Sequence, residues 1–131
     1  MIVSLHVASG AAGGALTRSR PGAIALGLVL HALGDTIPHH DIESRRFEIW
    51  SGVVCALALA MRYGPLSPVT IGALASSAPD IEHVLPLPRP GGRSLFPSHR
   101  FAGWHREGGV PAWAQLFAAG AIVGYLLARS E

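Results

Sequence analysis

The chain has 131 residues, enough for one domain but few for two. Half of the residues are hydrophobic and only 14% are charged, against about 25% in a typical soluble domain, so few side chains are available to cover a water-facing surface. All ten basic residues are arginines and the formal net charge is +2, which excludes the basic footprint of a nucleic-acid-binding protein. The single cysteine excludes an internal disulfide.

Five apolar segments predict an all-α fold. They lie at 2–16, 21–33, 49–61, 66–78 and 110–128. Only the last approaches the length of about 20 apolar residues that spans hydrocarbon, yet none leaves a polar face for water. We therefore expect a compact, membrane-embedded bundle of four to five short helices, forming one domain over 1–131 with a loop at 84–109. No charged stretch precedes the first segment, so we expect no cleavable signal peptide.

If each helix crosses the membrane, the polar residues at the helix ends separate into two groups. The start of the first helix, the ends of the second and fourth, and the loop at 84–109 fall on one side. Arg18, Arg20, Arg62 and Arg129 fall on the other, and the positive-inside rule favours that side as cytoplasmic. The expected protein is multi-pass, with a polar site at one membrane face.

Histidines are unusually frequent at the ends of the apolar segments. They are His6, His31, His39, His40, His83, His99 and His105. On a helix, His31 and Asp35 share one face because they are four residues apart. The proline that follows ends the helix, which would place His39 and Asp41 beside it. Imidazole and carboxylate groups in this arrangement are typical ligands of zinc, manganese and iron.

A second group of candidate ligands follows the fourth apolar segment, where Asp80 and His83 form an i, i+3 pair. The predicted metal ligands are His6, His31, Asp35, His39, Asp80, His83, His99 and His105. A carboxylate that is not a ligand could act as the catalytic base, and we assign this role to Glu82 and Asp41. Arg100 and Arg106 flank the last two histidines and could clamp an anionic group such as phosphate.

Each of these groups also has a purely structural interpretation. His31 and Asp35 could form a buried hydrogen-bonded pair, and Asp41 and Asp80 could cap the helices that follow them. The loop that contains His99 is rich in arginine and could bind lipid headgroups instead of a metal. The metal interpretation is favoured because one bundle topology brings all the groups to the same side.

Three short segments carry a family resemblance: LHVASG at 5–10, PDIEH at 79–83, and SHR with GWH inside 98–105. They resemble motifs of the bacterial inner-membrane metal-dependent hydrolases, also described as LexA-binding, inner-membrane-associated hydrolases. The resemblance implies a location in the bacterial inner (cytoplasmic) membrane and site roles for His6, Asp80, Glu82, His83, His99 and His105. The chain departs from the family by having Glu82 in place of Asp and Trp104 directly before the final His. The His-x-x-x-Asp spacing is also similar, more weakly, to zinc-dependent phospholipase C.

The sequence therefore predicts a membrane-bound, metal-dependent hydrolase that acts on a phosphoester through a metal-activated water. The expected cofactor is a divalent transition metal, zinc first, with manganese or iron as the other ions. The expected partners are membrane lipid and a small-molecule or lipid phosphoester, and no nucleic acid. The alternatives are a metal-binding membrane protein without catalysis and a membrane adaptor for a protein partner.

Overall fold

A computed structural model describes residues 1–101, 103–104, 106 and 108–129 of the chain. Its α-helices are α1 (Val3–Thr17), α2 (Arg20–Thr36), α3 (Arg45–Tyr63), α4 (Pro68–Ser77), α5 (Ile81–Val84), α6 (Pro97–Arg100) and α7 (Ala112–Ala128). Two 3₁₀ turns lie at Ala78–Asp80 and Pro90–Gly92. The prediction of an all-α bundle is confirmed, and the five longer helices coincide with the five apolar segments.

Serine caps and prolines determine where three of the longer helices begin. The side chains of Ser19, Ser44 and Ser67 each accept a hydrogen bond from a backbone N–H in the first turn of α2, α3 and α4. Pro21 and Pro68 occupy the first turns of α2 and α4, where the missing N–H costs nothing because it would have no helical partner.

The central helix α1 packs against α2, α3, α4 and α7. A Cβ added at Gly10 would overlap the carbonyl of Gly72, and one added at Gly14 would overlap the carbonyl of Pro68. The helices α1 and α4 are therefore antiparallel and in backbone contact, which only glycine permits at these positions. As a result, the start of α1 lies beside the end of α4, where the candidate ligands His6 and Asp80 are found.

The loop predicted at 84–109 contains a short helix that returns to the bundle. The 3₁₀ turn Pro90–Gly92 and helix α6 both lie within it, and α6 contacts α2. This contact carries His99 to the end of α2. The loop thus completes the group of side chains that the longer helices begin.

Large apolar side chains cover much of the outer surface of α3 and α7. Trp50 and Met61 on α3 are 65% and 87% exposed, and Trp113 and Phe117 on α7 are 72% and 75% exposed. In the part of the chain that the structure describes, however, no helix combines the length and the apolar character needed to cross a membrane. The all-α architecture is established, and the finding on helix length gives the predicted membrane embedding no support.

Candidate metal centre

Six side chains with metal-binding groups meet where α1, α2, α4, α5 and α6 come together. This His/Asp cluster consists of His6, His31, Asp35, Asp80, His83 and His99. Their ligand atoms form three overlapping sets, each with all atoms within 4.8 Å of one another: His6–His31–Asp80, His31–Asp35–His99 and Asp80–His83–His99. Groups spaced in this way could hold a metal ion, although the arrangement does not identify which one.

The clearest metal-ligand geometry lies between His31 and Asp35 in the last turns of α2. His31 Nδ1 is 2.9 Å from the carbonyl oxygen of Ser76 and must donate to it, so in the neutral ring Nε2 carries a lone pair. That nitrogen is 3.1 Å from Asp35 Oδ2, and His99 Nε2 lies 3.4 Å from the same oxygen. Both residues are 1% exposed. A proton or a metal ion between the two atoms would satisfy both groups, and without either the buried pair would be costly.

His99 is oriented toward the same point by Glu82, which lies behind it. Glu82 Oε1 is 2.5 Å from His99 Nδ1, and its Oε2 accepts the Leu95 N–H at 2.6 Å. The opposite nitrogen, His99 Nε2, is 3.4 Å from Asp35 Oδ2 and 3.6 Å from Asp80 Oδ1. A carboxylate that fixes the far nitrogen of a ligating imidazole is the usual support of a metal-bound histidine.

The pKa values of His99 and Glu82 indicate that their surroundings favour a positive charge between them. Burial lowers the pKa of His99, but hydrogen bonds to the surrounding carboxylates, Asp35 first among them, outweigh this and raise the pKa to about 10. Burial would raise the pKa of Glu82, yet the Leu95 N–H and His99 hold that pKa below its usual value. The carboxylates therefore favour positive charge at this position, and a metal competes with the proton for the same lone pair.

His6 connects the two aspartates from the first turns of α1. Its Nε2 lies 3.1 Å from Asp35 Oδ1 and 3.9 Å from Asp80 Oδ2. Its ring stacks on His31, with centroids 4.2 Å apart, and its Nδ1 has no hydrogen-bond partner. The α-amino group of Met1 is 3.0 Å from Asp35 Oδ1. His6 thus lies deep in the cluster, where it is fully buried.

One side of the cluster opens into a cleft of about 580 Å³, whose lining includes Asp80, His83 and His99. Arg45 and Glu48, at the start of α3, line the same cleft. The Arg45 guanidinium donates to the backbone carbonyl of His83. Burial, and after it the Asp41 carboxylate, raises the pKa of Glu48. A molecule in this cleft would meet cluster residues, the Arg45 guanidinium and the carboxylates of Asp41 and Glu48.

Two of the predicted site residues pair with each other outside the three metal-compatible sets. His39 is buried, with Nδ1 2.7 Å from the carbonyl of Ile37, and it forms a β-bridge with Val110. Its Nε2 is 3.2 Å from Asp41 Oδ1, while Asp41 itself lines the cleft. Backbone hydrogen bonds with Arg106 and Gly108 hold His39 in this place.

The remaining predicted residues have less direct relations to the cluster. The sequence predicts Glu82 as a catalytic base; in the structure one of its oxygens accepts the Leu95 N–H and the other is hydrogen-bonded to His99. Arg100 and Arg106 are exposed and are not among the described residues that line the cleft. The predicted ligand His105 lies outside the described residues.

Four residues near the cluster have no role in the sequence-based prediction. Ser76 and Leu95 act through backbone groups, which leave no signature in the side-chain sequence. Arg45 and Glu48 lie in a charged connector of the sequence. The only feature that could have indicated a site role for them is their position at the start of a helix. The chain matches no family model, and searches of curated proteins and of solved structures find no match either.

Proposed function

We propose that this protein is a metal-dependent hydrolase whose divalent ion is bound in the His/Asp cluster. The single observation that carries the proposal is the set of three ligand atoms around Asp35: its buried Oδ2 lies 3.1 Å from His31 Nε2 and 3.4 Å from His99 Nε2. Two ligands with bonds of about 2.0–2.2 Å to one ion lie roughly 3–3.5 Å from each other. Both spacings agree with shared coordination.

The donor set suits zinc, manganese or iron, because imidazole nitrogens and carboxylate oxygens together bind all three. When bound, such an ion lowers the pKa of water and so supplies a nucleophile near neutral pH. The chain contributes the orientation of its ligands: the Ser76 carbonyl fixes the ring of His31 and Glu82 fixes the ring of His99. These supports match those found at established metal centres.

Hydrolysis, rather than storage of a metal, is supported by the cleft beside the cluster. A catalytic site needs an opening for substrate, whereas a structural site is closed by protein ligands. Glu48 on the cleft wall could hold the proton released by water, and its raised pKa suits that role. Arg45 in the same cleft could bind a phosphoester oxygen.

The exposed apolar side chains of α3 and α7 support a lipid-associated location for this activity. Together with the sequence resemblance to the bacterial inner-membrane hydrolases, they lead us to propose that the bundle is embedded in that membrane. Its substrate would then be a lipid phosphoester. The same surface favours one second candidate, an adaptor that binds a protein partner through α3 and α7. An adaptor would keep its partner when the cluster loses its metal.

Metal analysis of the purified protein tests the proposal. Wild-type protein should retain at least one equivalent of a transition metal after dialysis, and His31→Ala should lose most of it. The matched control is His40→Ala, since His40 is an exposed histidine in none of the metal-compatible sets, and its metal content should equal that of wild type. Wild-type protein that binds no metal even after reconstitution would overturn the proposal.

A further inference from the structure

The cluster contains six candidate ligands, whereas a single four-coordinate ion needs only four. The six ligands form three overlapping sets of three. The set His31–Asp35–His99 lies between the other two and shares one histidine with each. A histidine whose other nitrogen is engaged has one lone pair and can bind only one ion. If each histidine binds only one ion, two sets can be occupied at the same time: the set that contains His6 and His31, and the set that contains His83 and His99. They share only Asp80.

Asp80 presents its two oxygens to opposite halves of the cluster. Its Oδ2 is 3.9 Å from His6 Nε2, whereas its Oδ1 is 3.6 Å from His99 Nε2. Asp80 Oδ2 is buried and has no hydrogen-bond partner. Carboxylates that face two ligand groups in this way commonly bridge two metal ions. Asp35 Oδ2, which is 3.1 Å from His31 and 3.4 Å from His99, adds a second carboxylate between the halves.

We propose that the cluster binds two divalent ions bridged by Asp80: an inner ion held by His6 and His31, and an outer ion held by His83 and His99. The proposal rests on the metal-dependent function above, which itself requires only one ion. Asp35, whose Oδ2 is closer to His31 than to His99, would be the fourth protein ligand of the inner ion, and the outer ion would keep three protein ligands and a position for substrate. Paired ions are a recurring device for hydrolysing phosphoesters, because they act on both the attacking and the leaving oxygen.

The two halves differ in exposure, and this difference predicts two affinities. His6 and His31 are buried, with 0% and 1% of their surfaces exposed. His83 is exposed and lies on the four-residue helix α5, and both His83 and His99 line the cleft. The inner ion should therefore bind tightly and exchange slowly, whereas the outer ion should bind more weakly and be removed first by a chelator.

Equilibrium dialysis of the metal-free, full-length chain with Zn²⁺ gives the stoichiometry, and Mn²⁺ electron paramagnetic resonance reports whether two ions are coupled. Wild type should bind two equivalents in two affinity classes and show an exchange-coupled Mn²⁺ spectrum. His83→Ala should bind one equivalent, tightly, with an uncoupled spectrum. This substitution lies on an exposed residue and should leave the fold intact, which circular dichroism checks. His40→Ala should behave as wild type.

Asp80→Asn provides the second variant, because an amide bridges two cations poorly. It should lose the coupled spectrum and at least one equivalent. Wild-type protein that binds one equivalent, or His83→Ala that still binds two, would overturn the two-ion proposal while leaving the metal-dependent function in place. Wild-type protein that binds none would overturn both.

Discussion

The inner and outer halves of the His/Asp cluster are built from different kinds of structure. The inner ligands, His6 and His31, project from the long helices α1 and α2, which both approach the backbone of α4 closely through glycines. The outer ligands lie on one-turn helices: His83 on α5 and His99 on α6. Rigid packing positions the inner half, whereas the outer half is positioned by the hydrogen bond that Glu82 accepts from His99 and the one that Arg45 donates to the carbonyl of His83. The contrast suggests that the inner half fixes the site and that the outer half admits the substrate.

The largest expected effect comes from separating α1 from α4. In Gly72→Leu the new side chain would meet the carbonyl of Gly10, so the helices must move apart and the inner ligands with them. We expect the free energy of unfolding to fall by about 3 kcal/mol, at the upper end of overpacking costs, as measured by chemical denaturation. The inner ion should also be lost.

The matched control for this change is Gly120→Ala in α7. Gly120 has no atom within 4 Å of an added Cβ, and alanine favours helix over glycine by roughly 0.5–1 kcal/mol, so this variant should be slightly more stable than wild type. A Gly72→Leu protein that unfolds like wild type would show that close helix contact does not hold the inner half together.

A smaller effect, confined to the outer half, is expected from Glu82→Gln. The amide weakens the hold on His99 Nδ1, and the loss of such a supporting group typically lowers metal affinity by about 10- to 100-fold. Competition with a chelator should show this loss for the outer ion only. Glu43→Gln, at an exposed glutamate, is the control. Equal weakening of both ions would contradict a separate role for Glu82.

Ligands of both halves could be predicted from the sequence, whereas the groups that hold those ligands in place could not. His31 and Asp35 could be paired by helical spacing alone, and the apolar segments gave every long helix. The role of Glu82 could not be inferred, since its partner His99 is 17 residues away across a loop. His39 was predicted as a ligand because it follows the same helix. Its neighbours Pro38 and His40 pair with the backbone of Val110, a contact that no local pattern encodes.

The smallest expected effect concerns the arginines and substrate binding at the outer half. Arg45 lines the cleft and holds the carbonyl of His83, while Arg100 is exposed and is not among the described cleft residues. With bis(p-nitrophenyl) phosphate as substrate, Arg45→Ala should raise KM by roughly 10-fold, the loss of one charge-assisted hydrogen bond. Arg100→Ala should leave KM within about twofold of wild type. The opposite ranking in steady-state kinetics would place the phosphate beside α6, as the sequence alone suggests, and would move the substrate site out of the cleft.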